Sequence, residues 1–236
     1  MHRFNVIFIA ALAAAGQAAL WSQTPSHSAD AAKSSANLVS FYEVPLACPA
    51  ARGLGCGSAA KPVLQALEKK RSIQEAWLDH PGTTLAIVWR KDAKSDSRAA
   101  EIQSVADDRG IALHEITGDQ REATLTSFTS RKGWYRGSEV DRLSEEEAGV
   151  IVDRLLRRAI VAEPTIGAKA NSLKPALLKV IRERLTGCSS TQCREDCHRK
   201  FTEIARQSLN DGEFSALMEA EKQGYLPVGD EQWESR

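Results

Sequence analysis

The chain has 236 residues, 42% of them hydrophobic, with 31 basic and 31 acidic side chains. That is enough for one or two domains with a real core. The zero net charge lacks the basic excess by which nucleic-acid binders neutralise phosphates, so no nucleic-acid partner is expected.

The N-terminus reads as an export signal. Met1-His2-Arg3 is a short basic start, Val6 to Ala15 is an uncharged apolar run, and Gly16-Gln17-Ala18 supplies the small residues of a cleavage site. The run is shorter than the roughly 20 residues needed to span a bilayer, so no membrane span is expected once residues 1–18 are removed. No cysteine stands at the cleavage point, which argues against a lipid anchor. Residues 19–37, rich in Ser, Ala, Thr and Gln, read as a disordered tether. The expected location is periplasmic or secreted. The five cysteines, Cys48, Cys56, Cys188, Cys193 and Cys197, then meet an oxidising compartment, and an odd number leaves at least one unpaired in a monomer.

Leu38 to Leu46 is β-rich and predicts a strand, with Pro45 near its end. The segment Cys48-Pro-Ala-Ala-Arg-Gly-Leu-Gly-Cys56 follows as a Gly-rich loop flanked by two thiols. Ser58 reads as the cap of a helix carrying Val63, Leu64 and Leu67 on one face, with Pro62 in its first turn. Ile73 to Leu78 and Thr83 to Trp89 predict a hairpin around Asp79-His80-Pro81-Gly82. Ala99, Ile102, Val105 and Ala106 give helical spacing that Gly110 stops, and Ile111 to Ile116 predicts a last short strand. The order is that of a split βαβ, ferredoxin-like unit, within a domain taken as residues 38–142.

Residues 118–142 read as irregular, with Trp134 and Tyr135 anchoring them to the domain. Ser144-Glu145-Glu146-Glu147 reads as a capping box opening a helix to about Ala159, and the glutamates as no more than a helix start. Further helices are predicted over 172–185, 191–209 and 213–223, inside a helical region 143–224, with 225–236 as a frayed tail. The fold class is thus α+β, a ferredoxin-like βαββαβ domain followed by a C-terminal helical region. Leu85 to Trp89 is apolar on both faces, so both faces of the sheet need cover, and the C-terminal helices are the expected source.

Two cysteine groups carry the chemistry. Seven residues separate Cys48 from Cys56, which suits a disulfide, a shared soft metal ion or a redox pair. Cys188, Cys193, Cys197 and His198 form a second candidate cluster. Cys193 and Cys197 lie at i and i+4 on one helix face, and Cys188 can fold back to them, for a zinc site or for a disulfide of Cys188 with either; a disulfide between the two groups, stapling the helical part to the sheet domain, is the third alternative. His80 and His114 stand alone. No phosphate-binding loop, nucleophile elbow or His-Glu-x-x-His motif occurs, so no catalytic set is visible.

The strand, cysteine loop and helix at the head of residues 38–117 resemble the heavy-metal-associated domain family, although that family separates its cysteines by two residues. The resemblance implies soft-metal binding by Cys48 and Cys56, and soft sulfur ligands suit Cu, Zn or Hg. The leading expectation is an exported metal-binding or metal-handling protein, and a protein partner in that compartment is a separate expectation. The alternatives from the residues themselves are a periplasmic thiol-redox protein or a disulfide-braced structural or partner-binding module.

Overall fold

A computed structural model describes residues 37–229; the expected signal segment, nearly all of the tether and the last seven residues of the tail lie outside them. The architecture is α+β, with a five-stranded antiparallel sheet and, among the described residues, seven α-helices. In chain order these are β1 (Val39–Glu43), α1 (Gly57–Glu68), β2 (Ile73–Asp79), β3 (Thr84–Trp89), α2 (Ser95–Arg109), β4 (His114–Glu115), α3 (Gly118–Thr129) and β5 (Trp134–Arg136). Then follow α4 (Asp141–Ala162), a 3-10 turn (Pro164–Ala168), α5 (Ala170–Gly187), α6 (Thr191–Ser208) and α7 (Asp211–Lys222). The strand order is β4-β1-β3-β2-β5.

The hairpin between the second and third strands forms as its turn chemistry requires: β2 pairs antiparallel with β3, and Gly82 takes φ +74 in the turn. The register slips between Ile73 and Glu75, and this bulge lets Ile73 share the core face with Ala76 and Leu78 despite the odd spacing. Strand β3 alternates as a strand buried on both sides must. Leu85, Ile87 and Trp89 enter the large core, while Ala86 and Val88 face a smaller one.

The large core lies between the sheet and α1 and α2 and continues without a break into α4–α7, through Leu155, Leu177, Ile181, Phe201, Leu217 and Ala220. The second sheet face is covered differently from the expectation. Its cover is α3, in the segment read as irregular, rather than the C-terminal helices. Phe128 of α3, Phe41 of β1 and Trp134 of β5 stack edge to face there, with Phe41–Phe128 centroids at 5.6 Å and Phe128–Trp134 at 5.0 Å. Trp134 does anchor its segment, but as part of a fifth strand on β2. The reason α3 was missed is compositional. It offers the core only Phe128 and, half-buried, Leu125, so its apolar stripe is too thin to register as periodic.

Four boundaries also differ. The last expected strand shrinks to His114–Glu115 at the sheet edge. Helix α1 begins two residues earlier than a Ser58 cap would place it, with Cys56 at the N-cap, so Pro62 lies beyond the first turn. Helix α4 begins at Asp141, so Ser144 is a wholly buried helical residue and not a cap. The start of the tail is held rather than frayed. Arg158 donates to the carbonyl of Gly224 at 2.6 Å and Arg154 to that of Tyr225 at 2.5 Å, while Arg184 bonds the Tyr225 hydroxyl at 2.8 Å. None of the described helices is long and apolar enough to cross a membrane.

Candidate functional site

The Gly-rich loop after β1 is built as a closed neck. Beyond β1 the chain stays bonded to the hairpin turn, Val44 N–H to Thr83 O at 2.9 Å and Leu46 N–H to Gly82 O at 3.0 Å. Ala47 and Gly55 then pair as an isolated antiparallel bridge. Its two bonds are Cys48 N–H to Leu54 O and Cys56 N–H to Leu46 O, both 2.7 Å, and Gly55 N–H adds a bond to His80 O at 2.6 Å. The neck therefore sets Cys48 beside Cys56, while Ala50, Ala51 and Leu54 pack the loop interior.

Two glycines make the neck possible. A methyl at Gly82 would stand 2.5 Å from Gly55 Cα and closer still to Leu46 O. A methyl at Gly57 would stand 2.6 Å from Val140 O and closer to Ser144 Oγ, so α1 meets the start of α4 backbone to backbone. The ion pair of Lys61 with Asp141 at 2.5 Å fastens the same junction. Nearly two turns beyond Asp141 on α4, Glu147 is buried near both thiols.

The resulting constellation is Cys48, Cys56 and Glu147. Both thiols are free and lie close enough to shift each other's ionisation. Cys56 is half-buried at the N-cap of α1, where the helix dipole favours negative charge. Its pKa is lowered to about 5, first by the hydrogen bond from Cys48, then by the Ser58 hydroxyl at 3.4 Å and the amides of Ala59 and Ser58. Those amides do not form a cap bond of normal geometry, yet they favour the charged sulfur. Cys48, only 5% exposed, is pushed strongly the other way by its bond to Cys56, by burial and by Glu147. Glu147, 6% exposed, has its pKa raised to about 7 by burial and by the Cys56 charge, partly offset by its bond to Cys48. Its Oε2 is buried without a partner. A thiol whose pKa is lowered, a buried thiol whose pKa is raised and a buried carboxyl whose pKa is raised thus stand together.

The second group is brought together in part. Cys188, at the C-cap of α5, is bonded to Cys193 in the first turn of α6, and the buried Cys197 sulfur lies 3.5 Å from that of Cys188. The three sulfurs all lie within 4.8 Å of one another. His198 is not among them. Adjacent positions on a helix diverge by about 100°, and its Nδ1 is 3.3 Å from Glu221 instead. Of the lone histidines, His80 lies 2.9 Å from Glu146, and His114 is an exposed residue of edge strand β4.

Sequence reasoning missed Glu147, assigned to a solvated helix start. A signal was present: Glu147 occupies the i+4 place between Leu143 and Ile151, an acidic residue inside an apolar stripe. No protein-family model, curated protein or solved structure matches the chain.

Proposed function

We propose that this is an exported thiol–disulfide exchange protein whose reactive pair is Cys48 and Cys56. The carrying observation is the asymmetry of the pair. Cys56 is half-exposed at a helix head that favours thiolate, and Cys48 is buried beside it with the buried carboxyl of Glu147 nearby. A thiolate is the form that attacks a disulfide.

In the reducing direction, the Cys56 thiolate attacks one sulfur of a substrate disulfide. A Cys56–substrate bond forms, the substrate S–S bond breaks, and the second substrate sulfur leaves as thiolate. Glu147 takes the proton of Cys48, whose sulfur then attacks Cys56. The mixed disulfide breaks, giving a Cys48–Cys56 disulfide and a reduced substrate, with two electrons passed from protein to substrate. The reverse sequence oxidises a dithiol. A stabilised thiolate favours the reduced protein and so makes the disulfide form oxidising.

The test uses the full chain. Equilibrated with a glutathione redox buffer, it should form the Cys48–Cys56 disulfide reversibly, and Cys48→Ser should trap a mixed disulfide on Cys56. Absence of both overturns the reading. A second reading, a soft metal ion held by Cys48 and Cys56, is supported by the contact of the two sulfurs. The strand order β4-β1-β3-β2 and the place of the loop before the first helix also support it, as would be expected of a heavy-metal-associated, ferredoxin-like unit. Stoichiometric metal on the isolated protein, lost in Cys48→Ser, would favour it.

A further inference from the structure

We propose that Cys188, Cys193 and Cys197, when reduced, form a three-coordinate site for Cu(I), and that the Cys188–Cys193 disulfide is its closed, metal-free form. This site is separate from the loop dithiol and stands without it. The observation is the triangle of sulfurs: the two of the Cys188–Cys193 disulfide and the free Cys197 thiol lie within 4.8 Å of one another, from the end of α5 and two turns of α6. In a trigonal site with metal–sulfur bonds of about 2.3 Å, the sulfurs are about 4 Å apart. The Cys188–Cys197 separation of 3.5 Å is already near that. Only the bonded pair must open. Cys188 has the freedom to do so, because it lies in extended backbone after Gly187 and outside both helices.

The donor set selects the ion. Among the described residues, no fourth His, Cys, Asp or Glu atom joins the group. Zinc favours four ligands in a structural site, whereas three thiolates satisfy Cu(I), a soft ion. Access exists as well: an open cleft of about 610 Å³ borders all three cysteines. Lys200 and Arg199 line it and offset part of the thiolate charge, although each is paired, with Glu183 at 2.8 Å and Asp196 at 2.9 Å.

The chemistry balances with a dithiol as reductant. The dithiol passes two electrons to the Cys188–Cys193 bond, which becomes two thiols, and is itself converted to a disulfide. Cu(I) then displaces one proton from each of the three thiols. Oxidation of Cys188 and Cys193 by a disulfide removes two of three ligands and releases the ion, so the oxidation state of the pair gates metal retention.

The full-length Cys48→Ser/Cys56→Ser variant isolates this site. After reduction and under anaerobic conditions, it should take up one equivalent of Cu(I) from a bicinchoninate complex. Alkylation mapping should find all three cysteines protected, and X-ray absorption should report three sulfur neighbours. Adding Cys197→Ser should abolish stoichiometric uptake. Cys188→Ser, at a half-buried position, gives the same test should the buried substitution unfold the chain, with circular dichroism reporting the fold. The proposal is overturned by no uptake in the reduced protein, by equal uptake with the Cys188–Cys193 bond intact, by protection of fewer than three cysteines, or by binding of Zn(II) without Cu(I).

Discussion

The carboxyl of Glu147, on α4, and the thiol of Cys48 are both buried and lie close enough to shift each other's ionisation, across the boundary between the helical layer and the loop of the sheet layer. In disulfide exchange this places a base with a pKa of about 7 on the sulfur that must be deprotonated second. Glu147→Gln keeps the volume and removes the base. Resolution of the mixed disulfide should slow on the order of 100-fold, while the first attack by Cys56 is nearly unchanged. Stopped-flow rates across pH 5–9 check it. The wild-type resolving rate should rise through pH 7, and the variant should lack that inflection.

The same carboxyl makes stability depend on pH. Its folded pKa is raised, so its stabilising contribution is complete below the ordinary value of 4.5 and is lost as pH rises through about 7. Cys56 has the opposite sign, contributing fully above its ordinary 9.0 and losing that contribution as pH falls through about 5. Relative to the wild type, reduced Glu147→Gln should therefore gain stability between pH 4.5 and pH 8, on the order of 2–3 kcal/mol. Urea unfolding at the two pH values measures this, and an equal difference at both would refute it.

Cys56 should titrate near pH 5, seen as thiolate absorbance and as iodoacetamide reactivity, while Cys48 stays unreactive at neutral pH. The hydrogen bond from Cys48 is the leading cause of the low value, so Cys48→Ala should raise it toward the ordinary thiol range. A titration unmoved by that substitution would assign the effect to the helix end alone.

Two glycines with nearly equal φ provide a packing test. Gly82 (φ +74) and Gly53 (φ +73) share a backbone conformation that L side chains rarely adopt, but a methyl at Gly53 meets nothing within 4 Å. Gly53→Ala should cost only backbone strain, about 1–2 kcal/mol. Gly82→Ala adds overpacking against Leu46 and Gly55 backbone, a further 1–3 kcal/mol. It should also disturb the Cys56 titration, because the neck that seats both cysteines leans on Gly82. Thermal or urea unfolding with the thiolate titration separates the two effects.

The parts of the fold written in local chemistry could be read from the sequence. The turn at Asp79–Gly82 and the alternation of Leu85 to Trp89 specify the hairpin and its two buried faces. What covers each face was not local. Helix α3 presents too few apolar residues to announce itself, and Phe128 acquires its role only beside Phe41, far away in sequence, and Trp134, placed there by the pairing of β5 with β2. The same holds for the site. The pairing of Cys48 and Cys56 follows from a strand end and a helix start that face each other. Glu147 reaches them because Gly57 lets α4 close on α1, an approach nothing in the Ser-Glu-Glu-Glu run discloses. His198 fails as a ligand by helix phase, which places it toward Glu221.

The closed neck of the loop bears on exchange with solvent and on reach. The amides of Cys48, Gly55 and Cys56 are bound at 2.6–2.7 Å to carbonyls of their own loop and of the hairpin turn. Their hydrogens should be retained in deuterated solvent far longer than those of Arg52 and Gly53 at the exposed tip, in the manner of strand rather than loop amides. A thiol mounted on so stiff a frame does not sweep out to meet its target. Under the proposed exchange function, a target would have to project its own sulfur to the head of α1, which would favour disulfides on protruding, deformable segments over those recessed in a folded surface.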